Sequence, residues 1–139
     1  MLTRLYSPIT IKGKEIRNRI VMPPMVCFGK AGNDGFVTEK HIEHYEKRAR
    51  GGTGLIIVEA TCIQKDARLS PDQLGIWSDE HIEGLSKIAE VCHKHGATVM
   101  IQLHHAGLKT HPKVSSIPSA PWKPDNKEEV HILSEEDIA

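Results

Sequence analysis

Arg19-Ile20-Val21-Met22-Pro23-Pro24-Met25-Val26-Cys27 is a short apolar run that ends in two prolines and a thiol. Proline has no N–H and a fixed φ, so the Pro23-Pro24 pair cannot continue the interior of a β-ladder. The run therefore predicts a strand over residues 20–22 that leads into a stiff, extended segment. Such a segment beside a polarizable sulfur suits contact with a flat cofactor, and it equally suits an ordinary strand end.

The residues on either side of this strand predict a hairpin and a loop. Residues 9–11 alternate in polarity, residues 12–15 are turn formers, and Ile16 begins a return strand, which together predict a short β-hairpin. Residues 28–35 contain three glycines and an Asn-Asp pair and predict a loop.

The next elements alternate between helix and strand. Thr38 is a predicted N-cap of a helix that runs to about Arg50 and is stopped by Gly51-Gly52. Its predicted apolar stripe consists of Ile42, Tyr45 and Ala49. Residues 54–60 are apolar without alternation, which predicts a strand buried on both faces, as in a parallel sheet.

A second unit of the same kind follows a long connection over residues 61–77, whose length favours a functional role. Ser78 is a predicted N-cap, and Gly96 ends the helix. The predicted apolar stripe of this helix consists of Ile82, Leu85, Ala89 and Cys92. A third strand is predicted over residues 97–103, and residues 134–139 predict the capped first turn of another helix.

The order of elements predicts an α/β fold with a parallel sheet. An entry hairpin followed by β-α-β-α-β fits an open doubly wound sheet or the N-terminal part of a (β/α)8 TIM barrel, here incomplete. A dinucleotide-binding sheet would carry Gly-x-Gly-x-x-Gly after its first strand, where this chain has Pro23-Pro24-Met25. Residues 23–27, 59–60 and 102–105 all fall at predicted carboxyl ends of strands, the edge where parallel α/β folds bind ligands.

Composition limits the class of protein and its partners. The 139 residues suffice for one domain with a core, and 39% hydrophobic with 26% charged residues is a globular composition. Eighteen basic and eighteen acidic side chains cancel, which predicts neither a nucleic-acid partner nor a membrane surface. The N-terminus lacks the apolar core of a signal peptide. Three widely spaced cysteines predict free thiols in a reducing compartment, and so a cytoplasmic location.

Two further chemistries need consideration. Nine histidines invite a zinc site, but His104 and His105 are adjacent and His93 and His95 lie at a helix end, so no tetrahedral set converges and no metal is predicted. Cys27 with a histidine would make a nucleophile pair, although the sequence names no third, orienting group. A small hydrolase-like or metal-binding α/β protein remains an alternative on these residues.

Several stretches together resemble one family. They are PITI (8–11), NRIVMPPM (18–25), GLIIVEA (54–60), LGIWSDEH (74–81) and QLHHAG (102–107). They occur in this order in the Old Yellow Enzyme family of NADH:flavin oxidoreductases, and the chain looks closest to the bacterial ene-reductase branch. The resemblance covers residues 1–139 as the N-terminal portion of the family's TIM-barrel domain.

The resemblance implies FMN as the cofactor, NADH or NADPH as the reductant, and an activated alkene as the small-molecule substrate that receives hydride. It assigns the flavin contact to six residues: Pro23, Pro24, Met25, Val26, Ala60 and Gln102. Lys109 would lie in a loop near the pocket and is a weak catalytic candidate. An amide at Gln102 can both donate and accept, as the pyrimidine edge of a flavin requires.

The sequence departs from the family pattern at two positions. Val26 stands where the branch commonly has a redox-tuning cysteine, and Cys27, a weak catalytic candidate, comes one residue later, where a strand-like segment faces the other way. Phe28 takes the place of a substrate-binding tyrosine and keeps only its apolar wall.

The length of the chain adds an expectation about activity. A TIM barrel needs about 250 residues, and the family's phosphate-binding and substrate-polarising parts come from later strands. The chain is therefore expected to be a fragment that is inactive alone. The alternative is a catalytically silent piece that acts in assembly, as a homo-oligomer or with a complementing C-terminal chain.

Overall fold

The computed structural model describes residues 3–126 and 129–137. The main elements are β1 (Ile9–Ile11), β2 (Lys14–Ile16), β3 (Val21–Met22), α1 (Glu39–Arg50), β4 (Leu55–Cys62), α2 (Ile82–Lys94) and β5 (Thr98–His104). Two short strands, β6 (Ser119–Ala120) and β7 (His131–Ile132), pair near the end of the chain. β1 and β2 form the predicted antiparallel hairpin, and β3, β4 and β5 form a parallel sheet in that order. The predicted β-α-β-α-β order is confirmed.

The parallel sheet is covered by helices on one face. Met22 pairs with Ile56, and Ile56 with Val99, so these side chains project from the same face of the sheet. On that face they form one core with residues of both helices: Tyr45, Ala49, Ile88 and Cys92. The opposite face is open, and Val21 and Met100 there are 47% and 46% exposed.

Strand β4 runs to Cys62, two residues beyond its predicted end. The Cys62 N–H donates to the Leu74 carbonyl at 2.8 Å, and the Ile76 N–H donates to the Cys62 carbonyl at 2.9 Å. The connection after β4 thus folds back as a further ladder partner and extends the strand. The register also shifts inside β4: Val58 pairs with Ile101 but Ala60 with Gln102, which leaves Glu59 in a β-bulge.

Helix α1 begins after the predicted N-cap, Thr38, and a histidine, His41, completes the cap at this N-terminal end. The Thr38 N–H donates to His41 Nδ1 at 3.1 Å. This is the geometry of a capping box, with an imidazole in place of the usual Glu or Gln. His41 is completely buried. Its burial was not predicted, because the apolar stripe was drawn through hydrophobic residues alone.

Helix α2 differs from the prediction at its start. Ser78 precedes a 3-10 turn, Asp79–His81, and the α-helix begins only at Ile82. Cys92 of the predicted stripe is buried, whereas Ile82 is 57% exposed. Ile82 instead lines an open apolar groove of about 390 Å³ between α2 and β5. The predicted stripe is thus one apolar face of α2, on which Ile82, Leu85 and Ala89 line the groove and Cys92 reaches the core.

The described residues include the first part, residues 134–137, of the predicted third helix. The Ser134 N–H and Oγ–H both donate to the Asp137 carboxylate, each at 2.7 Å. Ile138 and Ala139, which complete the predicted turn, lie outside the described residues. Over residues 3–126 and 129–137, we find no helix with the length and apolar character needed to cross a membrane.

Arg17 joins the ends of the two helices. Its guanidinium donates to the carbonyls of His95 at 2.6 Å, Ala49 at 3.0 Å and Thr53 at 2.9 Å. We expect Arg17→Ala to lower the free energy of unfolding by about 1.5 kcal/mol, since charge-assisted bonds are lost from a side chain that keeps some solvent contact. Urea denaturation measures this, and Arg17→Lys, which keeps the charge without the planar fork, should lose about half as much. A loss below about 0.3 kcal/mol for Arg17→Ala would contradict this role.

Candidate functional site

The carboxyl ends of β3, β4 and β5 meet at one edge of the sheet. Ala60 of β4 and Gln102 of β5 are direct partners in the ladder, so their side chains project from the same face. Residues 23–27, here called the shelf segment, follow β3 at the same edge. The structure therefore brings together the three stretches that carry the six predicted flavin-contact residues.

The shelf segment is extended and partly open to solvent. Pro23 and Met25 are exposed, with Met25 at 55%, and Pro24 and Val26 are half-buried. The segment is fixed at its far end, where the Cys27 N–H donates to Glu59 Oε2 at 2.6 Å. This backbone accordingly has a fixed position against the end of β4.

Glu59 is the buried anchor of this arrangement. Its side chain is 1% exposed and Oε1 accepts the Tyr45 hydroxyl proton at 3.1 Å. The Tyr45 oxygen accepts the Glu59 N–H at 2.9 Å, which satisfies the backbone donor of the bulge. The carboxylate thus links the shelf segment, β4 and α1. The sequence pattern placed Glu59 only near the end of a predicted strand and did not predict this role.

The groups around Glu59 are held in their neutral forms. Burial, followed by the negative charge of Glu59, raises the pKa of Tyr45, so Tyr45 remains a hydrogen-bond donor. Burial, followed by the charge of Lys30, lowers the pKa of His41 to about 4. Since His41 Nδ1 accepts the Thr38 N–H, its proton lies on Nε2, which is 3.9 Å from Glu59 Oε1. The imidazole dipole therefore faces the carboxylate without a direct hydrogen bond.

Cys27 points toward the helix layer. Its Sγ lies 3.3 Å from His44 Nε2 on α1. Burial, and then the charge of Glu59, raises the pKa of the Cys27 thiol to about 11, while burial lowers the pKa of His44 to about 4. The pair is a neutral thiol beside a neutral imidazole, which weighs against a thiolate nucleophile.

We expect Cys27 to react slowly with a disulfide reagent at pH 8. A pKa of about 11 leaves about one thiol in a thousand ionised at that pH, against about one in ten at the ordinary value of 9.0. The rate of modification, read by mass spectrometry of the peptide, should be at least about tenfold below that of glutathione. Cys27→Ser identifies the signal, and modification as fast as that of free glutathione would contradict the prediction.

Phe28 and Lys109 make no contact with the shelf segment through hydrogen bonds or ion pairs. Phe28 is 62% exposed and borders a surface groove formed with Lys30 and with the α1 residues Lys40 and Lys47. Lys109 is exposed at the end of a 3-10 turn, Gly107–Lys109, after β5. Within the described ranges its ammonium has no ion pair or hydrogen bond, so the structure leaves its predicted role open to test.

Gln102 carries the free polar group at this edge. Its side chain is exposed and makes no hydrogen bond to any described residue. The amide can donate through its NH₂ and accept through its oxygen, which matches a ring edge with alternating carbonyl and N–H groups. Its ladder partner, Ala60, has only a methyl group and is buried, with 6% of its surface exposed.

The connection after β4 is held by buried polar side chains that sequence analysis missed. Arg68 donates to the Asn33 and Lys65 carbonyls, each at 2.8 Å, and its guanidinium lies 5.3 Å from the Trp77 ring centre. Gln73 is fully buried and bonded to the Ala60 carbonyl at 2.8 Å. These contacts order the connection against the site. Across the described ranges, His, Cys, Asp and Glu side chains nowhere gather in threes suited to a metal ion.

A sequence model of the NADH:flavin oxidoreductase / NADH oxidase family matches residues 4–139. The chain belongs to this family. Its relatives include the NADPH dehydrogenase of Halalkalibacterium halodurans, 51% identical over 106 residues, which are 76% of this chain and 31% of the relative. The NADPH dehydrogenase of Bacillus subtilis is 48% identical over 109 residues, 78% of this chain and 32% of the relative. The chain thus spans about a third of the length of these curated relatives.

Solved structures agree with the family assignment. The Old Yellow Enzyme from Pichia sp. AKU4542 superposes with a TM-score of 0.86 at 29% identity, covering 97% of this chain and 39% of that one. The Old Yellow Enzyme homologue from Zymomonas mobilis superposes with a TM-score of 0.81 at 32% identity, and the match covers 96% of this chain and 41% of the homologue's chain. The predicted family and the fold of an N-terminal, incomplete part of a TIM barrel are confirmed. Membership implies FMN as the cofactor and NADH or NADPH as its reductant.

The residues present fit the ring portion of a flavin. The partly exposed shelf segment after β3 supplies an apolar edge, and the Gln102 amide on β5 supplies one donor and one acceptor at the same end of the sheet, with β4 between them. The bond from the Cys27 N–H to Glu59 fixes the shelf backbone before a ligand arrives. The donor set and its preorganisation both suit a flat, uracil-like ligand.

Proposed function

We propose that residues 1–139 form the N-terminal, ring-binding portion of the TIM-barrel domain of an FMN-dependent NAD(P)H oxidoreductase of the ene-reductase type. The observation that carries this proposal is the free Gln102 amide, in register with Ala60 and at the same end of the sheet as a shelf segment anchored by Glu59. The family match and the curated relatives named NADPH dehydrogenase support the same activity.

In this proposal the chain binds and orients the cofactor. Pro23, Pro24, Met25 and Val26 pack along the isoalloxazine, Ala60 leaves space at the ring edge, and Gln102 bonds the pyrimidine edge. When bound, FMN supplies the hydride that passes to an activated alkene. Phe28 would be an apolar wall for the substrate, and Lys109 would favour negative charge near the ring. Cys27, which faces His44, would tune none of this chemistry directly.

Activity would depend on more than these residues. Because the chain spans about a third of its relatives, we expect the 139 residues alone to bind FMN weakly or not at all and to reduce no alkene. We place the protein in the cytoplasm, as three free thiols suggest.

A second candidate is a catalytically silent piece that acts in assembly, and one observation favours it. Ile82 and Met100, which are 57% and 46% exposed, line the apolar groove between α2 and β5, and this apolar surface favours a covering element. A homo-oligomer or a complementing C-terminal chain would supply it. Solution mass separates the candidates: association with no flavin-dependent signal favours assembly, and a flavin-dependent signal favours cofactor binding.

We expect FMN to shift the side-chain amide signals of Gln102 in ¹H–¹⁵N NMR spectra of the chain. Gln102→Leu should weaken FMN binding, followed through backbone signals of the shelf segment, by about tenfold, because it removes a donor and an acceptor and leaves the ring edge unpaired. Gln64→Leu is the matched control, since Gln64 contacts His105 instead. Equal FMN affinity in wild type and Gln102→Leu would contradict the proposed role of Gln102.

A further inference from the structure

A charged groove lies along helix α1, next to the end of the shelf segment. It has a volume of about 420 Å³ and is here called the basic groove. Four cationic side chains and one carboxylate line it: Lys30 from the loop after the shelf segment, and Lys40, Glu43, Lys47 and Arg48 from α1. Unlike the apolar groove between α2 and β5, a groove lined by charges suits a charged ligand better than a packed helix or strand.

The cations of the basic groove lack partners of opposite charge. Across the described parts of the chain, the ammonium groups of Lys30, Lys40 and Lys47 make no ion pair and no hydrogen bond. Arg48 donates only to a backbone carbonyl of its own helix, at 3.0 Å. Glu43 stands between Lys40 and Lys47 in the sequence but pairs with neither. Four cations against one carboxylate leave the groove clearly positive, while the formal net charge of the whole chain is zero.

The loop that carries Lys30 is held in place before any ligand binds. The Thr38 hydroxyl donates to the Lys30 carbonyl at 2.9 Å, which ties the loop to the start of α1. The Lys30 N–H donates to the Cys27 carbonyl at 3.3 Å, and the Gly29 N–H donates to the Asp72 carboxylate. The loop and the helix thus form two fixed walls, so little backbone ordering is needed on binding.

The positive charge of the basic groove acts on a histidine beside the shelf segment. Burial, and then the charges of Arg48 and Lys30, lowers the pKa of His44. His44 also lines the groove, and its Nε2 lies 3.3 Å from Cys27 Sγ at the end of the shelf segment. An anion bound in the groove would offset these charges and raise the pKa of His44, which makes this side chain a reporter of binding.

The length and the position of the basic groove indicate its ligand. Lys40 and Arg48 are separated by about 12 Å along the axis of α1. Cations spread over this length suit a ligand with more than one phosphate, because each phosphate can meet its own cation. Since the groove begins directly after the shelf segment, a dinucleotide whose nicotinamide lies at the flavin ring can extend into it.

The two reductants of the family differ in their phosphates. NADH and NADPH both carry a pyrophosphate, and NADPH has an additional phosphate on the 2′ position of its adenosine ribose, away from the nicotinamide. A basic side chain near the adenosine half can recognise this 2′-phosphate. A positive groove outside the ring site is therefore in a position to distinguish the two reductants.

We propose that the basic groove binds the phosphates of the adenosine half of NADPH and favours NADPH over NADH through the 2′-phosphate. The identity of this ligand rests on the proposed function, whereas the unpaired cations are a property of the chain itself. The four cations would bind the ligand away from the transferred hydride, and Glu43 would oppose it. These residues would set the affinity for the reductant and leave the chemical step unchanged.

The first test needs no flavin. Adenosine 2′,5′-bisphosphate and adenosine 5′-monophosphate represent the adenosine halves of NADPH and NADH, and each is titrated into the chain while NMR spectra are recorded. The bisphosphate should shift the backbone signals of residues 28–30 and 40–48 and raise the pKa of His44, read from its ring signals. It should bind at least about fivefold more tightly than the monophosphate. No shift in these residues would overturn the site, and equal affinities would overturn the preference for NADPH.

Charge variants test whether these side chains make the contact. Lys40→Gln combined with Lys47→Gln should weaken binding of the bisphosphate about tenfold, because two exposed cations are removed. Glu43→Gln should strengthen it about threefold, since the opposing charge is lost. Lys12→Gln combined with Lys14→Gln, at two exposed lysines of the hairpin, removes as much charge and is the matched control. Far-UV circular dichroism checks that each variant folds. Equal weakening in the control, or no gain in folded Glu43→Gln, would overturn a specific site.

Titration with FMN separates this proposal from the proposed function. If FMN shifts Gln102 while the bisphosphate leaves the basic groove unchanged, the groove proposal fails alone. If the bisphosphate binds as expected but FMN shifts no signal, the proposed function fails and NADPH with it, while the phosphate site stands. With FMN bound, NADP⁺ should shift the groove signals at lower concentration than NAD⁺, and the reverse order would overturn the preference.

Discussion

Replacing Glu59 with alanine is expected to lower the free energy of unfolding by about 4 kcal/mol. The substitution leaves the Tyr45 hydroxyl and the Cys27 N–H without their acceptor, and it opens a cavity beside buried His41. A buried acceptor shared by two donors costs more to remove than a single surface bond. Urea denaturation followed by circular dichroism at pH 7 measures the change.

Two companion variants separate the parts of this effect. Tyr45→Phe removes only the hydroxyl and should cost about 1.5 kcal/mol. Glu59→Gln keeps the volume of the side chain but places an NH₂ group, which is a donor, opposite either the Cys27 N–H or the Tyr45 hydroxyl. Its cost should therefore lie between those of the other two variants. A loss below about 1.5 kcal/mol for Glu59→Ala would show that the carboxylate is not the link between the shelf segment and α1.

The same variant has a functional consequence under the proposed function. Without denaturant, and at a temperature where Glu59→Ala is still folded, the end of the shelf segment is no longer held by Glu59. FMN should then shift the shelf signals less, because the backbone must be ordered on binding. The reactivity of Cys27 should rise as well, since Glu59 is one cause of its raised pKa.

Much of the fold follows from local sequence patterns. The continuous apolar run at residues 54–60 predicted a parallel strand, and Thr38 with Gly51-Gly52 delimited α1 to within one residue. These signals are strong because burial on both faces and helix capping depend on nearby residues. Helical spacing shows that residues share a face and leaves open whether an element covers that face, so the 57% exposure of Ile82 could not be predicted.

The site was predictable in part. The resemblance singled out Ala60 and Gln102, and the register confirms that they are neighbours, while their roles toward FMN stay predictions. An acidic residue inside the apolar run of β4 was a signal that Glu59 is buried with partners, since an unpaired carboxylate would be costly there. Gln73 gave no such signal, because it lies in an irregular connection and its amide bonds both the nearby Leu69 N–H and the Ala60 carbonyl of β4, which only the folded chain brings together.

Replacing Gly54 with alanine is expected to cost about 3 kcal/mol or more, at the opposite end of β4 from Glu59. A Cβ at Gly54 would lie 2.7 Å from the Asn18 backbone oxygen and closer still to the Asn18 side-chain oxygen. Asn18 cannot move aside easily, because its amide donates to the Gly52 carbonyl at 2.8 Å and accepts the Ile20 N–H at 3.0 Å. The Gly54 backbone is also fixed, between Ile20 and Thr98.

Gly52→Ala is the matched control for Gly54→Ala. A Cβ there meets nothing within 4 Å, so the cost comes only from the positive φ of 98° and should be about 1 kcal/mol. Thermal and urea unfolding compare the two, and equal losses would contradict a steric cause at Gly54. Because Gly54 lies far along β4 from the shelf segment, folded Gly54→Ala should retain the FMN shifts that Glu59→Ala loses. Loss of those shifts in both variants would mean that flavin contact depends on the stability of the sheet as a whole, and not on the Glu59 anchor.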